Sequence, residues 1–289
     1  MPLTDKQERE IAGALTEIDT AQILVNQQFT TGQQAQKALS MIRIAEEVAS
    51  YRMRARRPEL SPGVSLGLAR GQNVNGEEVE MVDPSLEFSN FMRDVLDALE
   101  ESDVKYLVGG AVAVWGWGEV RTTQDFDVVV DLPVEQMARL SEALKERGML
   151  VPVEVMLDLL LAPADLPLNA VHLPTGYKLE IFLLRPGDAL RASALQRRLL
   201  VDFGPRIGEA FVHSPEDLIL YKLQYYGLSS QPKHIRDIGS IITTVGEDSL
   251  EQDYLSQWIA RLELNEIWLE IQKHLGSCES QGAGSARNS

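Results

Sequence analysis

Apolar residues recur at steps of three and four from Thr4 to Phe29, at Ile11, Leu15, Ile18, Val25 and Phe29, with Gln22 interrupting the seam. That spacing predicts an amphipathic helix. Thr30-Thr31-Gly32 breaks it, and helical spacing resumes from Gln33 to Arg54 through Leu39, Ile42, Ala45 and Ala49. Residues 1–57 are therefore expected to form a helical hairpin. Glycine and proline then recur without period over residues 58–84, which predicts a linker. Asp83-Pro84 starts another helix, with Phe88, Met92, Val95 and Leu99 along one face. Val104–Val108 and Asp125–Val130 read as short buried strands, and Ala111–Trp115 between them as the first turns of a helix. A helix is predicted from Pro133 to Arg147, while the apolar run Val151–Leu161 fits a strand or a helix. Two further strand-like runs flank Pro174-Thr175-Gly176 in the manner of a hairpin. After Ser214-Pro215 the pattern is mostly helical to about Leu275. The tail, residues 276–289, has no apolar content to order it and is expected to be disordered. The division that follows is a mixed α/β (α+β) domain over 85–212 and a helical domain over 213–275.

Composition adds bounds. A chain of 289 residues with 44% hydrophobic residues buries one good core and has room for a second, smaller one. No apolar run has the length of a membrane span, and the charged start Met1–Leu15 lacks a signal peptide's apolar segment. Cys278 is the only cysteine, which excludes an intrachain disulfide and a cysteine-cluster metal site and fits a cytoplasmic location. A net charge of −16 repels polyanions at long range, so non-specific nucleic-acid binding is not expected.

Against that background three features carry chemistry. Gly109-Gly110 ends the strand Val104–Val108 and feeds a helix, so unhindered backbone N–H groups lie beside a positive helix end. Phosphate oxygens suit such a place, although a tight turn alone explains a glycine pair too. Asp125 and Asp127 lie two apart on a strand, so their carboxylates project from one face, about 6–7 Å apart at the backbone. Such neighbours repel unless a cation lies between them, and Mg²⁺ is the hard ion that takes carboxylate oxygens while keeping substrate phosphates. A solvated strand end in an acidic chain carries the same pattern. Glu180, alone among the apolar residues of Tyr177–Leu184, must find a partner, face water or bind a metal. An adjacent antiparallel strand would bring it beside the aspartates.

The stretch GGAVAVWGWGEVRTTQDFDVVV, Gly109–Val130, resembles the signature of the polymerase-beta nucleotidyltransferase superfamily, and its form is similar to the AbiEii-type enzymes, many of them toxins of toxin–antitoxin pairs. Gly109, Gly110, Ala111, Gly118, Arg121, Thr123, Asp125 and Asp127 fall on the pattern, and Glu180 stands where those proteins usually have an aspartate. Downstream, Ser214–Ile242 resembles their C-terminal helical motif, in which a lysine and an aspartate face the nucleotide; Lys222 and Asp237 take those places. The resemblance implies a nucleotidyltransferase fold with a small mixed sheet flanked by helices. It also implies an NTP substrate, with Gly109, Gly110, Arg121, Thr123, Lys222 and Asp237 at the nucleotide. Two Mg²⁺ ions would be held by Asp125, Asp127 and Glu180, the catalytic acids. The expected acceptor is a tRNA 3′ end, a protein hydroxyl or a small molecule such as an aminoglycoside, with an antitoxin as partner. A catalytically weakened scaffold that binds nucleotide or protein is the alternative.

Other features are less specific. The basic end Arg52–Arg57 fits cations at a helix C-terminus or a nucleic-acid contact. Arg185, Arg191, Arg197 and Arg198 form the densest basic patch, open to RNA phosphates or to plain solvation. Trp115 and Trp117 are expected in the core. The interrupted N-terminal seam leaves self-association open. Glu216 and Asp217 read as helix caps, and the four histidines show no metal-ligand spacing.

Overall fold

The computed structural model describes residues 3–18, 23, 27–70 and 83–285. The chain divides into two compact units: one holds residues 30–116 and 120–213, the other residues 1–29, 117–119 and 214–289.

The first unit is built on a six-stranded sheet in the order β3-β4-β2-β1-β6-β5. Its strands are β1 (Lys105–Val108), β2 (Asp125–Asp131), β3 (Leu168–Val171), β4 (Lys178–Leu183), β5 (Leu199–Asp202) and β6 (Glu209–Val212). The sheet is mixed: β2 runs antiparallel to β1 but parallel to β4, β1 is parallel to β6, and β3–β4 and β5–β6 are antiparallel hairpins. The expected small mixed sheet with helical flanks is thus present.

Its helices in chain order are α2 (Thr31–Arg56), α3 (Pro62–Ala69), α4 (Pro84–Glu101), α5 (Gly110–Trp117), α6 (Val134–Glu146), α7 (Val153–Leu161) and α8 (Ala189–Arg197); α1 (Asp5–Thr16) belongs to the second unit. Helix α4 forms as the pattern predicts: Asp83 caps it, Pro84 takes its first turn, and Phe88, Phe91, Met92, Val95 and Leu99 are wholly buried. It packs on β1, α2 and α6. The ring of Phe91 meets Phe126 of β2 at 6.3 Å and Tyr177 at 5.7 Å, while Phe88 meets Tyr177 edge-on at 4.9 Å and Trp115 at 6.4 Å. Trp115 is a core residue, as expected. Because strand side chains alternate, the face of β2 opposite Phe126 carries Asp125 and Asp127.

The second unit packs α1 on α10 (Pro232–Val245) and α12 (Asn265–Ser285), with α9 (Pro215–Ser229) against α10 and α11 (Gln252–Arg261).

Several expectations give way. The first helix ends at Thr16, not Phe29, and α1 and α2 join different units, so residues 1–57 are no hairpin; Gln22 and Val25 of the expected seam lie outside the described residues. Each helix carries its own capping box, from Thr4 with Gln7 and from Thr30 with Gln33, which makes two independent starts. Within the expected linker, Ser61 caps and Pro62 opens α3; residues 71–82 lie outside the described residues. The ambiguous run 151–161 is helix α7, begun after Pro152. Helix α12 continues to Ser285, over residues 276–285 of the tail expected to be disordered, since a helix under way extends with one hydrogen bond per residue fixed; residues 286–289 lie outside the described residues. Strands β5 and β6 have four residues each, too short for alternation to reveal. Among the described residues, no helix is long and apolar enough to cross a membrane.

Candidate active site

Strand β2 runs parallel to β4 in a register that pairs Asp125 with Lys178 and Asp127 with Glu180. The sequence reading expected an antiparallel neighbour. Helices α6 and α7 and strand β3 intervene instead, and the β3–β4 hairpin then turns the chain back parallel to β2. All three acids and Lys178 lie on one face of two adjacent strands, about 4.8 Å apart across the pair and about 6.6 Å apart along each strand. Each acid is half-buried, and Lys178 is exposed.

Beside Asp127 the chain makes the turn that the glycines foretold. The amide of Gly109 donates to the carbonyl of Asp127 (2.9 Å), tying the end of β1 to β2. Gly110, the first residue of α5, has φ +57°, a left-handed conformation that disfavours any side chain. A Cβ there would also collide with Oδ2 of Asp127 and come within 2.9 Å of its Cβ. The carboxylate of Asp127 therefore lies directly over the bare start of α5. Gly109 differs: a Cβ there meets the ring of His213 at 3.5 Å, an ordinary contact. Only the second glycine is demanded by space and backbone together.

Around Asp125 the arrangement opens into a cavity of ≈ 350 Å³ lined by Arg121, Thr122, Thr123, Gln124, Asp125 and Lys178, with Ile42, Ala45 and Glu46 of α2 as its other wall. The hydroxyl of Thr123 lies 3.0 Å from the carbonyl of Asp125 and accepts from its amide at 3.1 Å, so this side chain is spent on setting the first residue of β2. Trp115 Nε1 donates to the carbonyl of Arg121 (3.2 Å), anchoring the loop from the core side.

Glu46 is 4% exposed. Behind it Arg70 donates from Nε to its Oε2 (2.9 Å) and from Nη2 to Glu87 (2.6 Å), with the guanidinium 5.2 Å over the Tyr177 ring. Burial opposes the charge of Arg70, but the hydrogen bond to Glu87, the neighbouring Tyr177 and the pairing with Glu46 outweigh it and raise its pKa. The Tyr177 hydroxyl lies 3.3 Å from Glu46 Oε1 and 3.2 Å from the carbonyl of Pro84; burial first, then Glu46, pushes its pKa well up. Glu46 and Lys178 escaped the sequence reading. Lys178 could have been found two residues before Glu180 on the same strand face, whereas no local signal marks Glu46.

Lys222 and Asp237 belong to the helical unit. Their side chains are buried and hydrogen-bonded to each other, Nζ to Oδ2 at 2.6 Å. Arg236 makes a bidentate pair with Glu119. Asp217 accepts from the hydroxyls of Ser214 and Tyr254, and Glu216 from the amide of Glu251, so both acids serve helix starts. Two members of the basic patch are engaged internally: Arg191 is 2% exposed and held by Asp165 and Asp188, and Arg198 lies 4.1 Å over the ring of Phe211. Arg54 and Arg56 sit in the last turn of α2, where the helix dipole favours cations.

Three hard oxygen donors at adjacent positions on one face are the right chemistry for Mg²⁺. As they stand, the side chains are not gathered: among the described residues no group of three or more acids, histidines or cysteines is close enough together to hold an ion.

Neither a scan against protein-family models nor a search of curated proteins finds a match. Among solved structures the chain is similar to the antibiotic-resistance factor ANT(2″)-Ia in solution, at a TM-score of 0.44 and 18% identity over 65% of this chain and 97% of that one. It is also similar to ANT(2″)-Ia in complex with adenylyl-2″-tobramycin, at 0.44 and 17% over 61% and 97%. An antigenic nucleotidyltransferase-like protein from Paracoccidioides brasiliensis is similar at 0.38 and 18%, over 66% and 93%. Identities this low transfer no residue role, so the chemistry has to be read from this chain's own side chains.

Proposed function

We propose that the chain is a nucleotidyltransferase that moves a nucleoside monophosphate from an NTP to an acceptor hydroxyl. One observation carries this reading: Asp127 stands in register with Glu180 and over the positive-φ turn at Gly110, with Asp125 two residues away on the same face. Two acids in register beside a turn built from bare backbone repel one another unless a cation joins them. A triphosphate with its cation needs both.

In this reading Asp125, Asp127 and Glu180 hold Mg²⁺, and the parallel register leaves only side-chain rotation to gather them. Once bound, the ion supplies charge neutralisation on the phosphates and a lowered pKa for the acceptor hydroxyl. The backbone of Gly110 and the start of α5 orient the triphosphate. The acceptor oxygen bonds to the α-phosphorus, the bond from that phosphorus to the bridging oxygen breaks, and its electron pair leaves with pyrophosphate. Glu180 takes the hydroxyl proton and passes it to water. Lys222 and Asp237 hold one another in the helical unit, and we assign them a structural role.

A nucleotide-binding scaffold is the second reading, favoured by the ungathered carboxylates. Incubation with Mg²⁺, each α-labelled NTP and a mixture of total tRNA, total protein and small metabolites separates the two. Label in any fraction, lost in Asp127→Asn, supports transfer. Nucleotide- and Mg²⁺-dependent stabilisation with no labelled product supports the scaffold. Of the expected acceptors, a tRNA end draws least support, because the chain carries −16 net charge and Arg191 and Arg198 are spent internally. A toxin role or an antitoxin partner finds no separate support in the geometry.

A further inference from the structure

Resting on that transfer reading, we propose that the cavity beside Asp125 is the acceptor site and that it takes a small, uncharged, hydroxyl-rich molecule, a sugar or cyclitol. The two aspartates divide the site. Asp127 lies over Gly110, so the triphosphate side is the α5 side; Asp125 opens instead into the cavity. A hydroxyl bound there lies next to the acids across from the phosphates, where in-line attack begins. The volume of ≈ 350 Å³ is at the low end of ligand pockets, enough for one ring and too small for a folded protein loop or a nucleic-acid terminus of several residues.

The lining sets the chemistry. Arg121, Lys178, Asp125 and Glu46 all line it, two cations and two anions, with Thr122 and Gln124 offering both donors and acceptors. Donors and acceptors of balanced sign match hydroxyl groups, each of which gives one proton and accepts others. A polycation would meet Arg121 and Lys178, and a polyanion Asp125 and Glu46. Ile42 and Ala45 provide an apolar strip for a ring's C–H face.

Glu46 is the fixed point. Arg70 donates to its Oε2, whereas among the described residues its Oε1 accepts two long hydrogen bonds, from the Tyr177 hydroxyl at 3.3 Å and Gln124 Nε2 at 3.5 Å. That oxygen is pre-organised to accept a ligand hydroxyl at little entropic cost, since the buried network already holds the side chain. Glu46 is thus a positioning residue for the acceptor, supplied by a helix outside the stretch that carries the glycines and aspartates.

The test uses the full-length protein with Mg²⁺ and α-labelled NTP, offered glucose, myo-inositol, kanamycin as polycation, or tRNA. Saturation-transfer NMR measures sugar binding in parallel. Label on glucose or myo-inositol, or their binding without turnover, is the expected result. Ala45→Trp, a change on an exposed helix position that fills the cavity, should abolish either signal while nucleotide affinity stays within twofold. Glu46→Gln should raise the sugar KM or Kd at least tenfold with kcat changed far less. Label on tRNA or kanamycin alone, or no sugar binding at 10 mM while nucleotide binds, overturns the proposal. So does loss of nucleotide affinity in Ala45→Trp, which would make the cavity a nucleotide pocket and leave the transfer reading intact. That reading fails separately if Asp127→Asn leaves labelling unchanged.

Discussion

Glu46 and Asp127 are carboxylates of the same sheet-bearing unit with opposite surroundings. Glu46 is buried against Arg70, which it shares with Glu87 under the ring of Tyr177. Asp127 is half-buried, faces a second acid across the sheet and lies against a backbone that has shed its side chain to admit it. In the first cluster charge is cancelled where the chain puts it. In the second, two acids stand across the sheet from one another beside bare backbone, an arrangement that a cation and phosphates would complete. A charged group's neighbours, more than its burial, separate scaffold from site.

Mutations should part the two clusters cleanly. The largest effect is expected from Arg70→Met, which strands Glu46 as a buried unpaired charge and should lower stability by about 3–5 kcal/mol in urea denaturation. Unchanged stability would remove the cancelled-charge argument. Asp127→Asn should do the reverse: transfer falls at least about 10²–10³-fold, equivalent to about 2.7–4 kcal/mol, with stability changed far less. A drop in Tm matching the lost activity would recast Asp127 as structural. Next, Gly110→Ala should cost about 1–3 kcal/mol and activity with it, as a side chain is forced into the left-handed region against Asp127. Gly109→Ala, with ordinary contacts to His213, should cost under about 1 kcal/mol. Equal penalties would erase the distinction between the two glycines.

The smallest effect concerns pH. Burial, only partly offset by a backbone hydrogen bond, lowers the pKa of His172, whose Nδ1 lies 2.6 Å from the Thr175 hydroxyl and whose ring is 5.4 Å from that of Phe91. Below its ordinary value of about 6.5, the unfolded chain takes up a proton that the folded chain resists. Stability should therefore fall as pH drops from 7.5 to 5.5, and His172→Gln should flatten that slope. A slope that persists in the variant assigns it to other groups.

Local signals were legible where they are strong. Asp83-Pro84 and the Phe88–Leu99 stripe announced α4, and the paired aspartates announced the site strand. What escaped depends on long-range pairing. Nothing near Glu180 says that its strand lies parallel to β2, because intervening helices decide the direction. The four-residue strands β5 and β6 offer too few positions to alternate. Residues 1–57 read as a hairpin because two amphipathic stripes in succession look alike whether they bury against each other or apart. Glu46 hid for a related reason: a lone acid on a helix gives no sign that Arg70 and Tyr177 await it.

The parallel strand pair also has a kinetic side. Asp127 and Glu180 meet only after the chain has looped through α6, α7 and β3, a closure whose entropy must be met before any contact rewards it. During refolding from denaturant, far-UV ellipticity from the helices should return first and nucleotide affinity last, so a nascent or partly folded chain would be catalytically silent.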